Sequence, residues 1–503
     1  MNRTALALAA AVTALVAITG FASLTAPSGS DSTVTKAAAR LPVERSSLLC
    51  PAPSTSDLAE TRYTSFTPAG KAGKDGGATG TAQLLPSTTD DGKKGKGSKK
   101  SASDKPLLSL KEPGKPVTDE ESGGETPALI GAADGRLAPG WAAQQTTTVD
   151  AGSSRGVLGT RCTAPDTDFW FPGASTSADR QDYVHLTNPD DTAAVADIEL
   201  YGKDGAIKSD VGEGITVPAR SSVPVLLSTL APDPADNVTV HVSTRTGRVG
   251  AVVQSMDDKV GSDWLPASAS PAGKLVLPGI PADATSVRLV AFAPGSDDAD
   301  LKIQLAAEDG TITPAGHESL HLKAGMTAAV DLGDLTKGIA GSLVLSQDGG
   351  GKAVPFVAAL RVVRGKGSKQ EVAFIPATGP VGERATAADN RSKGSVLSLT
   401  APGATAKVKV TASAGSGGGE PVVKTYVVKG GTTLATKPPV PSGLKGSYAL
   451  TVEPQPGGGP VYAARTLELP QGGIPMFTVQ TLPDDRGTVS VPTARQDLSL
   501  LNN

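Results

Sequence analysis

Residues 184–230 align with residues 289–335 at a fixed offset of 105 without a gap, and this duplication constrains the fold more than any other feature of the chain. Within it Ile198-Glu199-Leu200 meets Ile303-Gln304-Leu305, Asp204-Gly205 meets Asp309-Gly310, and Val225, Leu227 and Leu230 meet Val330, Leu332 and Leu335. Ten of the 33 positions from 198 to 230 are identical, too many for chance. A third, more diverged copy follows at the same offset: Gly338 to Ser342 recurs as Gly443 to Ser447, and Pro355, Ala358 and Ala359 recur as Pro460, Ala463 and Ala464. Three tandem domains are therefore expected at 163–271, 272–379 and 380–484, with a tail at 485–503.

Inside each copy the apolar residues recur with period two, which sends successive side chains to opposite faces of a sheet. Ala196, Ile198 and Leu200 alternate with Asp197 and Glu199; Val408 and Val410 alternate with Lys407 and Lys409. One face is wet and the other buried. Asp204-Gly205 and Asp309-Gly310 supply the positive φ of tight hairpins, and the three-residue step from Leu227 to Leu230 predicts a short helical turn. Gly (59 residues) and Pro (39) make up about a fifth of the 503 residues while aromatics are 3%, so cores must be built from Val, Leu, Ile and Ala. The expected class is all-β: three antiparallel sandwiches, immunoglobulin-like by analogy, after a small β domain.

That first domain, 27–162, has strand-like pieces at 43–50, 61–66 and 141–149. Between them, about 69–125, the chain is rich in Gly, Ser, Lys and Pro, with six lysines from Lys93 to Lys105. Such a stretch buries too little apolar surface to offset its ordering entropy and is expected to be a disordered insert. It reads as a solvated spacer, the alternative being attraction to anionic envelope polymers or lipid headgroups.

Residues 1–26 carry Arg3 followed by an uncharged, Ala-rich run from Ala5 to Ala26. The pattern predicts an export signal cleaved near Ala26, with an uncleaved membrane anchor as the alternative. Export puts Cys50 and Cys162, the two cysteines of the chain, in an oxidising compartment where one disulfide is expected between them. The formal charge of −3 gives no general attraction to nucleic acid, which is not an expected partner.

The Ala-rich export segment, Cys50-Pro51, Arg161-Cys162 followed by Asp168-Phe169-Trp170-Phe171-Pro172-Gly173, and the tandem β repeats together resemble a family of exported actinobacterial proteins of unknown function. The resemblance covers nearly the whole chain. It implies an envelope location and the repeated β architecture, and it brings no activity and no catalytic residues.

Searches for chemistry return little. A phosphate-cradling Gly-x-x-x-x-Gly-Lys-Ser/Thr loop does not occur, and the letters of Gly-x-Ser-x-Gly and His-Glu-x-x-His occur once each, at Gly152 to Gly156 and at His317 to His321. His185 and His241 read as solvent-face strand residues, and His317 and His321 lie too far apart on a strand to form a metal pair. Asp257-Asp258 and Asp297-Asp298 would serve glycoside hydrolysis only if two carboxylates faced each other across a cleft. The most suggestive cluster is aromatic: Trp170, Phe171, Tyr201 and Trp264 are candidates for a ligand surface that takes sugar rings. The competing reading makes Trp170-Phe171-Pro172, Trp264-Leu265-Pro266 and Phe374-Ile375-Pro376 anchors between adjacent domains. The expectation is a non-catalytic envelope protein without metal or cofactor, tethered if at all through its N-terminal segment. Its partner would be an envelope protein or wall polysaccharide. A carbohydrate-binding module in the first repeat and an unrecognised extracellular hydrolase are the alternatives.

Overall fold

The computed structural model describes residues 39–70, 79–88, 105–347 and 353–491. The export segment at 1–26, the lysines from Lys93 to Lys100 and the end of the tail lie outside the described residues. Residues 42–488 form one compact unit. In a second, small unit residues 39–41 and 489–491 pair as a two-stranded sheet.

The large unit contains four β-sandwiches, I (45–161), II (168–265), III (275–376) and IV (385–481). In II the eight main strands are Asp168–Ala174, Arg180–Thr187, Ala194–Gly202, Ile215–Val217, Ser222–Leu226, Val238–Thr246, Gly250–Asp257 and Gly261–Leu265. One sheet runs first, sixth, third, fourth; the other runs fifth, second, seventh, eighth, all antiparallel. Sandwiches I, III and IV repeat this order. Moving four places along the strand numbering exchanges the two sheets, so each sandwich consists of two intertwined four-strand halves. In an immunoglobulin constant domain the first strand lies in one sheet with the second. Here it pairs with the sixth, so the likeness stops at the two-sheet architecture.

Period-two alternation accounts for the strands. In Ala194–Gly202 the side chains of Ala194, Ala196, Ile198 and Leu200 are buried in the core of II while Glu199 is exposed. Gly205, with φ +106°, turns the following hairpin, and Leu227–Thr229 forms a single 3-10 turn where the three-residue step falls.

The expected disordered insert needs correcting. Residues 82–86, 108–110 and 117–122 are strands of sandwich I, and 71–78 and 89–104 lie outside the described residues. The physical reason is that two apolar pairs at strand spacing suffice. Ala82 with Leu84, and Leu108 with Leu110, are buried against Leu48, Leu129 and Trp141. Sandwich I is thus a fourth copy of the fold, closed by the Cys50–Cys162 disulfide (Cα–Cα 4.4 Å), which ties the end of its first strand to the residue after its eighth.

The sandwiches interlock by one repeated rule. The first strand of II packs on the second and seventh strands of III (Ala284–Phe292, Val357–Lys366). The first strand of III (Leu275–Ile280) packs on the second and seventh of IV (Ser395–Ala401, Tyr462–Glu468). That of IV (Ala385–Asn390) packs on the second and seventh of I (Ala59–Phe66, Ala142–Val149), and that of I (Arg45–Cys50) meets the seventh of II. A head-to-tail contact that returns to its start after four steps is a closed ring, here made within one chain. At its centre the four eighth strands, Gly156–Arg161, Gly261–Leu265, Lys369–Pro376 and Phe477–Thr481, lie side by side, each next to those of both neighbouring sandwiches. Sheet edges that would otherwise template aggregation are hidden there.

Candidate functional site

Three joints of the ring are centred on large apolar side chains. Trp264 of II packs with Val252 on Ala59, Val149 and Leu158 of I. Phe374 and Val372 of III complete the core of II, and Phe477 and Val479 of IV complete the core of III. The fourth joint, IV to I, is built differently. Beside the small contact of Phe66 and Ala142 with Ala388 and Ala449, Thr146 donates to Asp389 Oδ2 (3.0 Å) and the Asp389 amide donates to Gln144 Oε1 (3.2 Å). The unit's two chain ends meet at these sandwiches, with Val43 N donating to Gly487 O at 3.1 Å.

This geometry decides the fate of the aromatic candidates. Trp264 is 1% exposed and Phe171 fully buried, so neither presents a face to a ligand, a correction to the expected ligand surface. Trp170 is buried too: it stacks on His241 (centroids 3.8 Å) and on Phe292 of III (5.4 Å), and its Nε1 donates to Asp168. Tyr201 is half-buried, 4.6 Å from Phe292, with its hydroxyl donating to Glu199. The cluster is a joint between II and III. His185 also departs from the solvent-face reading: it is buried beside Trp264 and bonded to Gln254, and burial lowers its pKa to about 4. The outward face of its sheet carries sandwich I, with Gln254 donating to Pro53 O. His241 holds one carboxylate at each ring nitrogen, Glu199 and Asp168, both at 2.8 Å. Asp257 pairs with Arg361, and Asp298 accepts from Ala324 N and lies 3.6 Å from His321 Nε2. Among the described residues no group of three or more His, Cys, Asp or Glu could hold a metal ion.

Two clusters were not singled out from sequence. The first is the centre of the ring. Asp263 of II, fully buried, accepts from Gly159 N of I (3.1 Å) and from Thr478 Oγ1 of IV (3.1 Å). Glu371 of III, equally buried, faces Arg155 of I at 3.1 Å. Burial pushes the Glu371 carboxyl up to about 8 in spite of Arg155, and burial likewise pushes Asp263 well up, with Glu371 adding to it. Gly261, with φ +102°, makes room: a Cβ there would lie 2.8 Å from Glu371 Oε2. Residues from all four sandwiches meet here without an opening to solvent at the acids, so this cluster fastens the ring.

The second is an open cleft of about 450 Å³ between III and IV. Its wall carries Asp283, Glu308, Arg364 and Glu468, with Ser398 and Thr466 beside them and Ile280, Ile339 and Val396 as apolar lining, while the Thr433 hydroxyl is held by Ser342 and Thr400. Arg364 is 8% exposed. Its Nη2 donates to Asp283 Oδ2 (2.7 Å), Nη1 lies 3.1 Å from Glu468 Oε1, and its guanidinium sits 4.7 Å above the Phe477 ring. A signal for this region exists in the repeat. At the offset of 105, Leu360 and Val363 of III become Arg465 and Glu468 of IV, charges where the pattern demands apolar residues. Arg465 is buried near Asp389, while Glu468 opens onto the cleft.

A model of a family of unknown function (DUF5719) matches residues 117–439, from the fifth strand of I to beyond the fifth strand of IV. No curated protein and no solved structure matches the chain.

Proposed function

The chain belongs to the DUF5719 family of unknown function, and on that premise we propose that it is a non-catalytic exported protein of the cell envelope, a rigid scaffold that holds a binding surface outside the membrane. The observation that carries this reading is the interlocking of four sandwiches into one ring. Aromatic and acidic side chains of the kind used elsewhere for chemistry are spent on its joints, at Trp170, Trp264, Asp263 and Glu371. The Ala-rich N-terminal run supports export, and the disulfide suits an oxidising compartment. Among the described residues no helix is long and apolar enough to cross a membrane, which leaves the N-terminal segment as the candidate anchor.

Fractionation of the producing cells tests the reading, together with N-terminal sequencing of the envelope or extracellular form. The expected mature chain starts within a few residues of Pro27, or is full-length and membrane-bound if the segment anchors. A full-length protein confined to the cytoplasm contradicts the proposal. A carbohydrate-binding role is favoured by one observation only, the cleft between III and IV.

A further inference from the structure

We propose that the chain pairs with a second copy of itself through the fourth strand of sandwich IV, Val422–Val428, the two strands running antiparallel about a twofold axis at Thr425. The proposal goes beyond the envelope reading and does not rest on it.

In every sandwich the fourth strand lies at an edge of its sheet. In I, II and III it is kept to three or four residues, Leu108–Leu110, Ile215–Val217 and Ser319–Leu322, a length that offers little backbone to another chain. In IV it runs for seven residues, with no proline and no irregularity in its register against the third strand, Ala406–Gly415. The direction of its free backbone groups follows from the far side of that third strand. Lys407 O accepts from Gln455 N, at the end of the sixth strand, Tyr448–Pro454. The N–H and C=O of one strand residue point the same way, so those of Lys407 face the sixth strand and those of Val427, opposite Lys407, face away from the third. By alternation Val423, Thr425 and Val427 all turn their N–H and C=O outward, where no strand of the described residues takes them up. Their side chains form an exposed β-branched row on the outer face of the sheet, Val423 and Val427 at 57% each.

The sequence of the strand selects the occupant. Val422-Val423-Lys424-Thr425-Tyr426-Val427-Val428 reads nearly the same in both directions about Thr425, and a twofold pair sets each residue opposite its mirror position. Val423 then meets Val427 of the second copy, Thr425 meets Thr425, and Lys424 meets Tyr426, whose ring already lies 4.7 Å from the Lys424 ammonium of its own strand. The three outward-facing pairs supply about six backbone hydrogen bonds. Slipping the register by two residues one way sets Lys424 against Lys424 and brings in Pro421, which has no N–H; slipping it the other way draws in Lys429, beyond the end of the strand. The lysines of the third strand do not oppose the pairing. Lys409, opposite Thr425, is held by Glu453 at 2.7 Å, and Lys407 falls in line with Thr411 of the second copy. The six-residue edge strand of sandwich I, Val117–Ser122, carries Asp119, Glu120 and Glu121 and repels a copy of itself.

Sedimentation of the full exported protein tests this. One strand edge buries less surface than a standard interface, so a reversible monomer–dimer equilibrium is expected with a Kd on the order of 10 μM. Thr425→Pro removes an outward N–H on the open side of an edge strand, where proline is tolerated, and should weaken the dimer by about tenfold or more. Val423→Asp and Val427→Lys lie at exposed positions and keep the test open should Thr425→Pro fail to fold. Each should weaken the dimer severalfold at an unchanged melting temperature. The combined variant sets the new acid of one copy against the new base of the other and should recover the loss of either single variant. Within one copy the two positions are about 13 Å apart along the strand, too far to produce that recovery. The proposal falls if the protein stays monomeric up to about twenty times the expected Kd. It falls equally if a folded Thr425→Pro variant dimerises as the parent does, or if the combined variant dimerises no better than the single ones.

Discussion

Gly159 offers a steric test of the ring between residues far apart in sequence. It occupies, in the eighth strand of I, the register position held by Trp264 in II and Phe374 in III. A Cβ there would clash with Thr478 Cγ2 and stand 2.8 Å from Thr478 Oγ1. Gly159 does not adopt a positive φ, so Gly159→Ala adds a methyl without backbone strain. Overpacking of this kind costs about 1–3 kcal/mol. Thr478→Ser removes the clashing methyl, keeps the hydroxyl that Asp263 needs, and by itself should cost about 1 kcal/mol. The double variant should recover at least about 1 kcal/mol of the sum, a coupling that separated residues do not show. Urea unfolding is followed by the fluorescence of Trp141, Trp170 and Trp264, all buried. A neutral Gly159→Ala, or strictly additive changes in the double variant, would refute the contact.

Three further outcomes follow from the same structure. Glu371 ionises near 4.5 when unfolded and near 8 when folded, so the unfolded chain loses its proton first and stability falls as pH rises between those values. His185, depressed to about 4, works the opposite way below about 6.5. The unopposed fall therefore lies between about pH 6.5 and 8, about 2 kcal/mol for Glu371, read as a drop in the urea midpoint that Glu371→Gln flattens; a rise there would contradict the burial argument. Replacing Cys50 and Cys162 by serine, across a separation of 112 residues, should cost about 4–5 kcal/mol and destabilise sandwich I first, as seen by limited proteolysis. Trp264→Ala empties the joint between I and II and should cost about 3–5 kcal/mol in the same urea titration, whereas a cost below about 1 kcal/mol would mean that the joint is loosely packed.

Much of the architecture was legible because repetition amplifies weak signals. The alternation in 194–202 and its copy at 299–306 places both strands, and the offset of 105 carries the pattern into the third copy. The strand at 142–149 is legible, but sandwich I as a full copy escaped because three of its strands, Ala82–Pro86, Leu108–Leu110 and Val117–Ser122, fall in the stretch rich in Gly, Ser, Lys and Pro, and because Gln145 and Thr147, fully buried, do not look it. The ring escaped because a sheet face that a neighbouring sandwich covers has the same alternation as one that water covers. His185 and Gln254 are polar and look solvent-facing, and only the packing of sandwich I on them reveals the joint. The cleft draws on Asp283, Glu308, Arg364 and Glu468, four positions spread over 186 residues, which topology alone brings together.

Closure of the ring is tested most directly by hydrogen exchange at two backbone amides. Gly159 N–H, on the outer edge of the eighth strand of I, is held by Asp263 of II, and Asp389 N–H, on the first strand of IV, is held by Gln144 of I. In a string of independent sandwiches both would be open sheet edges and exchange within the range of exposed strands. The closed ring predicts that both exchange only through global unfolding, as slowly as the core amides of Leu289 and Val410. Fast exchange at Asp389 with protection at Leu289 and Val410 would mean that sandwich IV does not close onto sandwich I.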